Sequence, residues 1–258
     1  MHRVEPKIYL IGETSINHLT VGRYLDDVGA GDWDTNAESD SEFLAEAMGR
    51  LCYRSWAPGL NKNVTKVREG NAQYLENIIK SGHGSVLEHG SSNWILRDVS
   101  RVFTHELVRH RAGTAFSQES MRYVRLEDIG LWLPAEASEI AGLVEMCEEK
   151  IRVDEAFQKR LAAKLDLDAP GRDFNYKKKW TSFMRRFAPD GLATTIGLTI
   201  NHRALRHVIE LRTSEHAEVE IREVFSKIAS IATGRWPALF QDFGQNEKGE
   251  WTSKSRKI

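Results

Sequence analysis

The chain has 258 residues, of which 41% are hydrophobic and 28% are charged, so it can bury one large globular core or two small ones. Its 36 Lys and Arg nearly balance its 37 Asp and Glu, which argues against a nucleic-acid partner held by net charge but leaves room for a local basic site. No apolar run approaches the ~20 residues of a membrane helix, and no secretory signal opens the sequence. The two cysteines, Cys52 and Cys147, are predicted to be free thiols. We therefore expect a cytoplasmic globular protein with no membrane partner.

The first half of the chain predicts short ordered segments separated by polar loops. Phe43, Ala47 and Leu51 recur at helical spacing, which predicts a helix. Gly82 follows a second periodic segment, where glycine commonly ends a helix. The predicted elements are a strand over 7–11, a surface loop over 28–40, a helix over 43–53, a polar connection over 61–70 and a helix over 72–80.

The second half predicts more helix than strand. Ser100 is a good cap for a helix that reaches about His110, and Gly113 then breaks the pattern. The predicted elements are a strand over 93–99, a helix over 100–110, an extended segment over 121–126, a long amphipathic helix over 136–165, a loop over 166–179 and helices over 203–211 and 218–233. No repeat or linker interrupts them, so we predict a single helix-rich α/β domain over residues 1–258, with a loose charged tail over 247–258.

The densest group of chemistry-bearing residues follows the predicted helix over 100–110. Its members are Arg109, His110, Arg111, Thr114, Ser117, Gln118, Ser120, Arg122 and Tyr123. Three guanidinium groups within this stretch suit phosphates and planar anions. The hydroxyl and amide groups offer neutral hydrogen bonds of the kind that recognise a nucleobase or a sugar. From composition alone, a solvated loop with scattered arginines explains the stretch about equally well.

Two further segments carry weaker signals. On the predicted helix over 203–211, Arg203 and His207 are four residues apart and share one face, although an amphipathic helix with a basic exposed side explains this pattern more simply. His83 and Ser85 lie in a glycine-containing segment that permits close backbone approach. That segment is neither a P-loop nor a dinucleotide-binding fingerprint.

The sequence gives little support for a metal site or for a nucleophilic cysteine or serine. The sequence has no His-Glu-x-x-His and no Cys-x-x-Cys, so we predict no metal site. Cys52 is predicted to be a small buried hydrophobe, not a nucleophile. No Gly-x-Ser-x-Gly elbow indicates a serine hydrolase.

Together, the three segments around Arg109, Arg203 and His83 resemble the flavin-dependent thymidylate synthase family (ThyX). That family has Arg-His-Arg, a seven-residue gap, Ser, any residue, then Arg-Tyr, and here the gap has eight residues. The matching residues are Arg109, His110, Arg111, Ser120, Arg122 and Tyr123, then His83, Ser85, Glu88 and His89 upstream, and Arg185, Asn201, Arg203, Leu211, Arg212, His216, Ala217, Glu220 and Ile221 downstream. The match runs in order over about residues 40–243.

The resemblance implies a fold and an activity. The fold would be α/β (α+β), a helix-rich subunit around a mainly antiparallel sheet, and four identical subunits would bind FAD between them. The activity would be transfer of a one-carbon unit from 5,10-methylenetetrahydrofolate to C5 of dUMP, with NADPH as the reductant. The expected partners are therefore a pyrimidine nucleotide and a folate, and no nucleic acid.

The resemblance also implies roles for individual residues. Those that would contact FAD are Ser85, Glu88, Arg109, His110, Arg111, Arg203 and His207. Those that would hold the nucleotide are Glu106, Gln118, Ser120, Arg122, Tyr123, Arg185 and Arg212. His83 would lie close to the flavin and the folate. Of these, Ser120, His83 and Arg212 are the predicted catalytic residues, and Ser120 would orient the pyrimidine without attacking it.

This chain departs from the family pattern at a few positions. One extra residue lengthens the loop between Arg111 and Ser120, Glu106 and Glu218 stand where the family usually has Gln, and His207 replaces a frequent Asn. An ionised carboxylate only accepts hydrogen bonds, so Glu106 suits an additional ribose hydroxyl. The alternative substrate is therefore UMP, alone or with dUMP, as in nucleoside-antibiotic biosynthesis. An alternative of another class is a non-catalytic nucleotide- or RNA-binding module, which the net charge of −1 disfavours.

Overall fold

The computed structural model of the protein describes residues 1–255, which form eight α-helices, eight short strands and three short 3-10 helices. The α-helices are α1 (His18–Asp27), α2 (Asp40–Tyr53), α3 (Asn71–Lys80), α4 (Arg101–Leu107), α5 (Leu143–Lys164), α6 (Phe174–Met184), α7 (His202–Thr213) and α8 (Val219–Arg235). The strands are β1 (His2–Arg3), β2 (Lys7–Glu13), β3 (Ser91–Ser100), β4 (Thr114–Gln118), β5 (Gly130–Leu131), β6 (Ala193–Asn201), β7 (Phe243–Gln245) and β8 (Trp251–Ser253). The 3-10 helices are Gly84–Glu88, Ala135–Glu139 and Arg185–Phe187.

The main sheet has four strands in the order β2–β3–β6–β4. Glu119 donates its N–H to the Thr195 carbonyl at 3.0 Å, and Asn201 donates to the Gly113 carbonyl at 2.9 Å. Because the residue numbers rise on one chain segment as they fall on the other, β4 and β6 run antiparallel. The helix-rich fold with an antiparallel sheet confirms the predicted fold class.

Two small sheets accompany the main one. The parallel pair β1–β5 aligns His2 with Gly130, and the antiparallel pair β7–β8 aligns Gly244 with Thr252. Within residues 1–255, no helix is long and apolar enough to cross a membrane.

The chain divides into two compact units. Unit 1 comprises Met1–Tyr9, Ile95–Arg109 and Phe116–Leu198, and unit 2 comprises Leu10–Trp94, His110–Ala115 and the chain from Thr199 on. Each unit takes residues from distant parts of the sequence, so neither is a continuous segment. The single-domain organisation stays a prediction.

Unit 1 has its core around α5. A cluster of buried apolar side chains includes Leu126, Ile129 and Ile151, and Cys147 packs against it half-buried. The Ile129 N–H donates to Glu155 at 2.7 Å, so this buried carboxylate has a hydrogen-bond partner. The long helix therefore anchors the segment that leads into β5.

Unit 2 has its core where α7 packs against α8. Ile221 and Phe225 on α8 are fully buried. Trp236, directly after α8, lies against Trp94 with ring centroids 6.3 Å apart and against His202 at 4.5 Å. These aromatic contacts join β3 to the start of α7, the helix on which several predicted site residues lie.

The structure corrects three of the predicted elements and adds elements that were not predicted, among them α1 and β6. Helix α6 begins at Phe174, inside the predicted loop over 166–179, and α5 begins at Leu143, later than the predicted residue 136. The predicted extended segment over 121–126 begins with a turn over 121–123 and contains no strand, while the strand lies just before it in β4. Strand β6 is an addition, although its alternately buried residues carry a clear period of two.

The predicted loose tail is wrong for residues 247–255. There β8 pairs with β7 and packs against α7. The Trp251 N–H donates to Thr213 Oγ1 at 2.9 Å, and the Ser253 N–H donates to Glu210 at 2.7 Å. These long-range hydrogen bonds hold a charged segment in an ordered structure that its composition alone does not predict. Residues 256–258 of the predicted tail lie outside the described residues.

Candidate active site

A cavity of about 620 Å³ in unit 1 collects predicted nucleotide-binding residues from distant parts of the sequence. The residues that line it are Arg101, Gln118, Glu119, Ser120, Met121, Arg122, Arg185, Arg186, Ala188 and Asp190. Gln118, Ser120, Arg122 and Arg185 belong to the predicted set. The structure therefore brings Arg185 to the segment that follows β4, more than sixty residues earlier in the chain.

A turn that begins at Ser120 positions Arg122. The Ser120 carbonyl accepts the Tyr123 N–H at 2.9 Å, and the Ser120 hydroxyl accepts the Arg122 N–H at 3.4 Å. Thr181 on α6 donates its hydroxyl to the Arg122 carbonyl at 2.7 Å. The helix that sequence reasoning missed therefore holds the backbone of a predicted ligand-binding arginine.

Two hydrogen-bonded contacts hold the residues just before this turn. Gln118 donates its side-chain amide to Thr104 on α4 at 3.1 Å. The Glu119 carboxylate accepts the Thr195 N–H at 3.0 Å, in addition to the backbone bond between the same two residues. This side of the cavity is thus built on a helix and a strand, which position side chains more firmly than a free loop does.

The charge of the cavity is positive. Four arginines line it and two carboxylates, Glu119 and Asp190, oppose them. Guanidinium groups bind phosphate oxygens in pairs of hydrogen bonds, so the cavity suits a dianionic phosphate. Sequence reasoning missed Arg101 and Arg186. The only signals were their positions directly after the Ser100 helix cap and directly beside Arg185.

Three predicted nucleotide-binding residues, Glu106, Tyr123 and Arg212, are not among the residues that line the cavity. Tyr123 stacks on Phe174 with ring centroids 5.9 Å apart, and the Arg122 guanidinium carbon lies 5.6 Å from the Tyr123 ring centroid. Glu106 on α4 lies 3.6 Å from the Arg109 guanidinium. Arg109, a predicted flavin contact, is therefore paired within unit 1.

Unit 2 brings together most of the predicted flavin-contacting residues. Arg212 on α7 donates from Nε to Nε2 of His110 at 2.7 Å, so Nε2 is the acceptor and the imidazole carries its proton on Nδ1. Arg203, also on α7, forms an ion pair with Glu88. The 3-10 helix Gly84–Glu88, which includes Ser85, packs against α7.

Around this cluster some predicted residues are open to solvent. Arg111, Ser85 and His207 are exposed. Helix α7, which carries His207, begins at His202 and is capped by Asn201, whose side chain accepts the Ala204 N–H at 2.8 Å. Such a cap fixes the first turn of the helix. The exposed His207 side chain therefore lies on a capped helix.

The loop with the extra residue turns at a glycine. Gly113 has a φ of 68°, a region that glycine adopts readily and other residues rarely. A Cβ at this position would lie 2.3 Å from Asn201 Nδ2. The loop after Arg111 is thus held close to the start of α7 before it continues as β4.

His83 lines a different cavity of unit 2, with a volume of about 420 Å³. Its ring stacks on that of Tyr53, with centroids 6.2 Å apart and planes 19° apart. Cys52, beside Tyr53, is exposed, so the prediction that it is buried is wrong. The side of α2 that carries Cys52 faces solvent near the end of the helix, where the apolar spacing no longer reports burial.

No group of three or more His, Cys, Asp or Glu side chains in residues 1–255 is placed to hold a metal ion.

Comparisons of the sequence with known proteins point to one family. The family model described as thymidylate synthase complementing protein matches residues 35–238. A flavin-dependent thymidylate synthase from Mycobacterium tuberculosis is 38% identical over 218 residues, which cover 82% of this chain and 82% of that protein. The enzyme of the same name from Mycobacterium bovis gives the same values.

Solved structures with the same fold include two enzymes with bound nucleotides. The UMP/dUMP methylase PolB from Streptomyces cacaoi, bound with 5-Br UMP, has a TM-score of 0.65 at 17% identity and covers 93% of this chain and 96% of its own. Thymidylate synthase X from Helicobacter pylori, with FAD and dUMP, has a TM-score of 0.55 at 19% identity and covers 92% and 98%. At these identities the likeness shows the fold.

Proposed function

The chain belongs to the flavin-dependent thymidylate synthase family, and we propose that it methylates dUMP at C5 to give dTMP. In the balanced reaction, dUMP, 5,10-methylenetetrahydrofolate, NADPH and a proton give dTMP, tetrahydrofolate and NADP⁺. Membership of the family makes the chain an enzyme, so the alternative of a non-catalytic binding module is wrong. The observation that carries the substrate proposal is the arginine-lined cavity of unit 1.

We assign the cavity residues to the nucleotide. Arg122 and Arg185, with Arg101 and Arg186 beside them, neutralise the phosphate dianion. Gln118 and Ser120 then hydrogen-bond to the pyrimidine or the sugar. We assign Ser120 to orienting the base and not to nucleophilic attack, because within residues 1–255 its hydroxyl accepts the Arg122 N–H and is not hydrogen-bonded to a side chain that could take its proton.

The donors gathered in unit 2 fit FAD. Its pyrophosphate is anionic and its flavin ring presents carbonyl oxygens, so cationic and neutral donors are required. We assign this binding to Ser85, His110, Arg111, Arg203 and His207 of unit 2, with Glu88 as the carboxylate that holds Arg203. Arg109 lies in unit 1, and its contact with FAD stays a prediction. Bound FAD supplies redox chemistry, the transfer of reducing equivalents that turns the methylene carbon into a methyl group.

The contacts within unit 2 orient these donors. Glu88 holds Arg203 through the ion pair, and Arg212 fixes the ring and tautomer of His110. An arginine beside a neutral imidazole keeps a positive charge where an anionic reduced ring or a developing enolate would be stabilised. We therefore propose that Arg212 and His83 act in the reaction together with Ser120.

The cytoplasmic location and the homotetramer that shares FAD between subunits stay predictions, as do the folate and NADPH co-substrates. We expect no nucleic-acid partner.

UMP is the second candidate substrate, and one residue favours it. Glu106 is half-buried and forms an ion pair with Arg109, at the position where the family usually has Gln. A carboxylate there accepts a hydrogen bond from a ribose 2′-hydroxyl, which dUMP lacks.

Tritium release from C5 tests both candidates. FAD-loaded protein is supplied with methylenetetrahydrofolate and NADPH, and 5-tritiated dUMP and 5-tritiated UMP are offered in parallel. We expect release from dUMP. Release from UMP alone would overturn the dUMP proposal, and protein that neither binds FAD nor releases tritium would contradict the proposed chemistry.

A further inference from the structure

Helix α6 holds the segment that carries Arg122 at two points. The hydroxyl of buried Thr181 bridges the carbonyl oxygens of Arg122 and Lys177, each at 2.7 Å, so it ties the segment to the helix backbone. At the start of the helix, the ring of Phe174 stacks on that of Tyr123, with centroids 5.9 Å apart and planes 12° apart. The helix therefore contacts the backbone of Arg122 and the side chain of the next residue.

Tyr123 in turn lies against the Arg122 guanidinium and leaves its charge unneutralised. The guanidinium carbon is 5.6 Å from the centre of the Tyr123 ring, within the range of a cation–π contact. In the part of the chain that the structure describes, no carboxylate forms an ion pair with Arg122, whereas Arg125, three residues later, is paired with Asp168 at 2.7 Å. A carboxylate would compete with a phosphate for the guanidinium, and an aromatic ring does not.

We propose that Thr181 and Phe174 are positioning residues for nucleotide binding and that both act through Arg122. Thr181 fixes the backbone of Arg122, and Phe174 fixes the Tyr123 ring that the guanidinium lies against. Neither Thr181 nor Phe174 lines the nucleotide cavity, so neither is a contact residue. The inference rests on the proposed function, which places the phosphate of the nucleotide beside Arg122.

The same helix also determines where Arg185 lies. α6 ends at Met184, and the next two residues, Arg185 and Arg186, line the cavity. A phosphate that is held by guanidinium groups from two segments depends on the distance between them, and small displacements of such groups weaken binding. Because α6 contacts the Arg122 segment and leads directly into Arg185, it sets that distance.

Nucleotide binding with and without the Thr181 hydroxyl tests the first role. dUMP is titrated by calorimetry into the FAD-loaded, full-length protein. We expect Thr181→Val to raise Kd by about threefold to tenfold, and Thr181→Ser, which keeps the hydroxyl, to restore most of the affinity. Ser182→Ala is the control and should leave Kd unchanged, because within residues 1–255 the Ser182 carbonyl accepts from Arg186 while its hydroxyl makes no hydrogen bond. Equal Kd values for Thr181→Val and the unmodified protein would overturn this role.

A double-mutant cycle distinguishes positioning from a general loss of structure. Thr181→Val is combined with Arg122→Ala, and Kd for dUMP is compared with that of Arg122→Ala alone. Because Thr181 acts through Arg122, we expect the added substitution to change Kd by less than about twofold. A full, multiplicative effect in the double variant would show that Thr181 acts by another route and would refute the proposal.

Phe174 allows a test that puts the fold at little risk, because 64% of the residue is exposed. We expect Phe174→Leu to raise Kd for dUMP by about twofold to fivefold. Phe183→Leu is the matched control, since Phe183 is exposed on the same helix but contacts Trp180 and Phe187 instead of Tyr123. Equal effects of the two leucine variants would assign the loss to the helix as a whole and contradict the role of Phe174.

Turnover separates these roles from the proposed function. In Thr181→Val we expect FAD content and kcat to stay unchanged while KM for dUMP rises with Kd. If the unmodified protein binds dUMP and the cycle gives the expected result but no tritium is released, the proposed function fails and the positioning roles stand. Protein that binds neither dUMP nor UMP would overturn the positioning roles as well.

Discussion

The buried ion pair between Glu46 and Arg50 gives the sharpest stability prediction. Both side chains are almost fully buried. Nε and Nη2 of Arg50 donate to one Glu46 oxygen at 2.8 and 2.6 Å, and the other oxygen accepts from Thr35 and Asn71 at 2.6 and 2.8 Å. Glu46→Gln removes the charge that compensates the guanidinium and turns one acceptor into a donor. Breaking a buried pair on one side costs about 3–5 kcal/mol.

That loss is large beside a total stability of about 5–15 kcal/mol. For a chain of this size we expect the melting temperature to fall by about 6–20 °C, measured at one protein concentration with a parallel urea titration. Glu76→Gln is the matched control, because Glu76 and Lys80 form a pair with the same four-residue spacing on an exposed face, and it should cost less than about 0.5 kcal/mol. Equal losses in the two variants would refute burial as the source of the effect.

Other predictions concern the site, a turn and pH. Arg122→Ala and Arg185→Ala should each raise KM for the nucleotide by about tenfold or more while FAD is retained; loss of FAD with unchanged KM would contradict the assignment. Gly113→Ala should lower the free energy of unfolding by about 1–3 kcal/mol, more than Gly59→Ala, where φ is also positive but no atom lies near. Burial lowers the pKa of His202 from 6.5 to about 3, so the unfolded chain takes up a proton first as pH falls below 6.5. Stability should then drop by about 2 kcal/mol between pH 6.5 and pH 5, and urea titrations of His202→Leu should show a smaller drop.

Local periodicity predicted some elements well and failed where packing overrides composition. α2 and α8 carry apolar residues at helical spacing and were predicted close to their true bounds. The loop predicted over 166–179 was based on Pro170 and Gly171, which lie before α6, and it was extended too far along the chain. The local signals for α6 were Tyr176, Trp180 and Met184 at helical spacing and Asp173, whose side chain caps the helix by accepting the Tyr176 N–H at 2.7 Å.

The order of motifs predicted several residues of the arginine-lined cavity, but not that they lie together and not Arg101 or Arg186. These two arginines join the cavity because β4 pairs with β6 and because α6 ends beside Arg185. Neither relation can be read from residues close in sequence, since pairing between distant strands depends on the whole sheet. Glu119 illustrates the same limit, because its contact with Thr195 spans 76 positions.

The Arg-His-Arg motif shows why residue identity and contact have to be considered separately. In the sequence, Arg109 and His110 form one recognition element. In the structure, Arg109 pairs with Glu106 on α4, while His110 accepts a hydrogen bond from Arg212 on α7. Two adjacent side chains therefore have partners on different helices, Arg109 on α4 and His110 on α7. Because Glu106 is a departure from the family pattern, variation at position 106 changes the surroundings of Arg109, and the sequence of the motif itself gives no sign of that change.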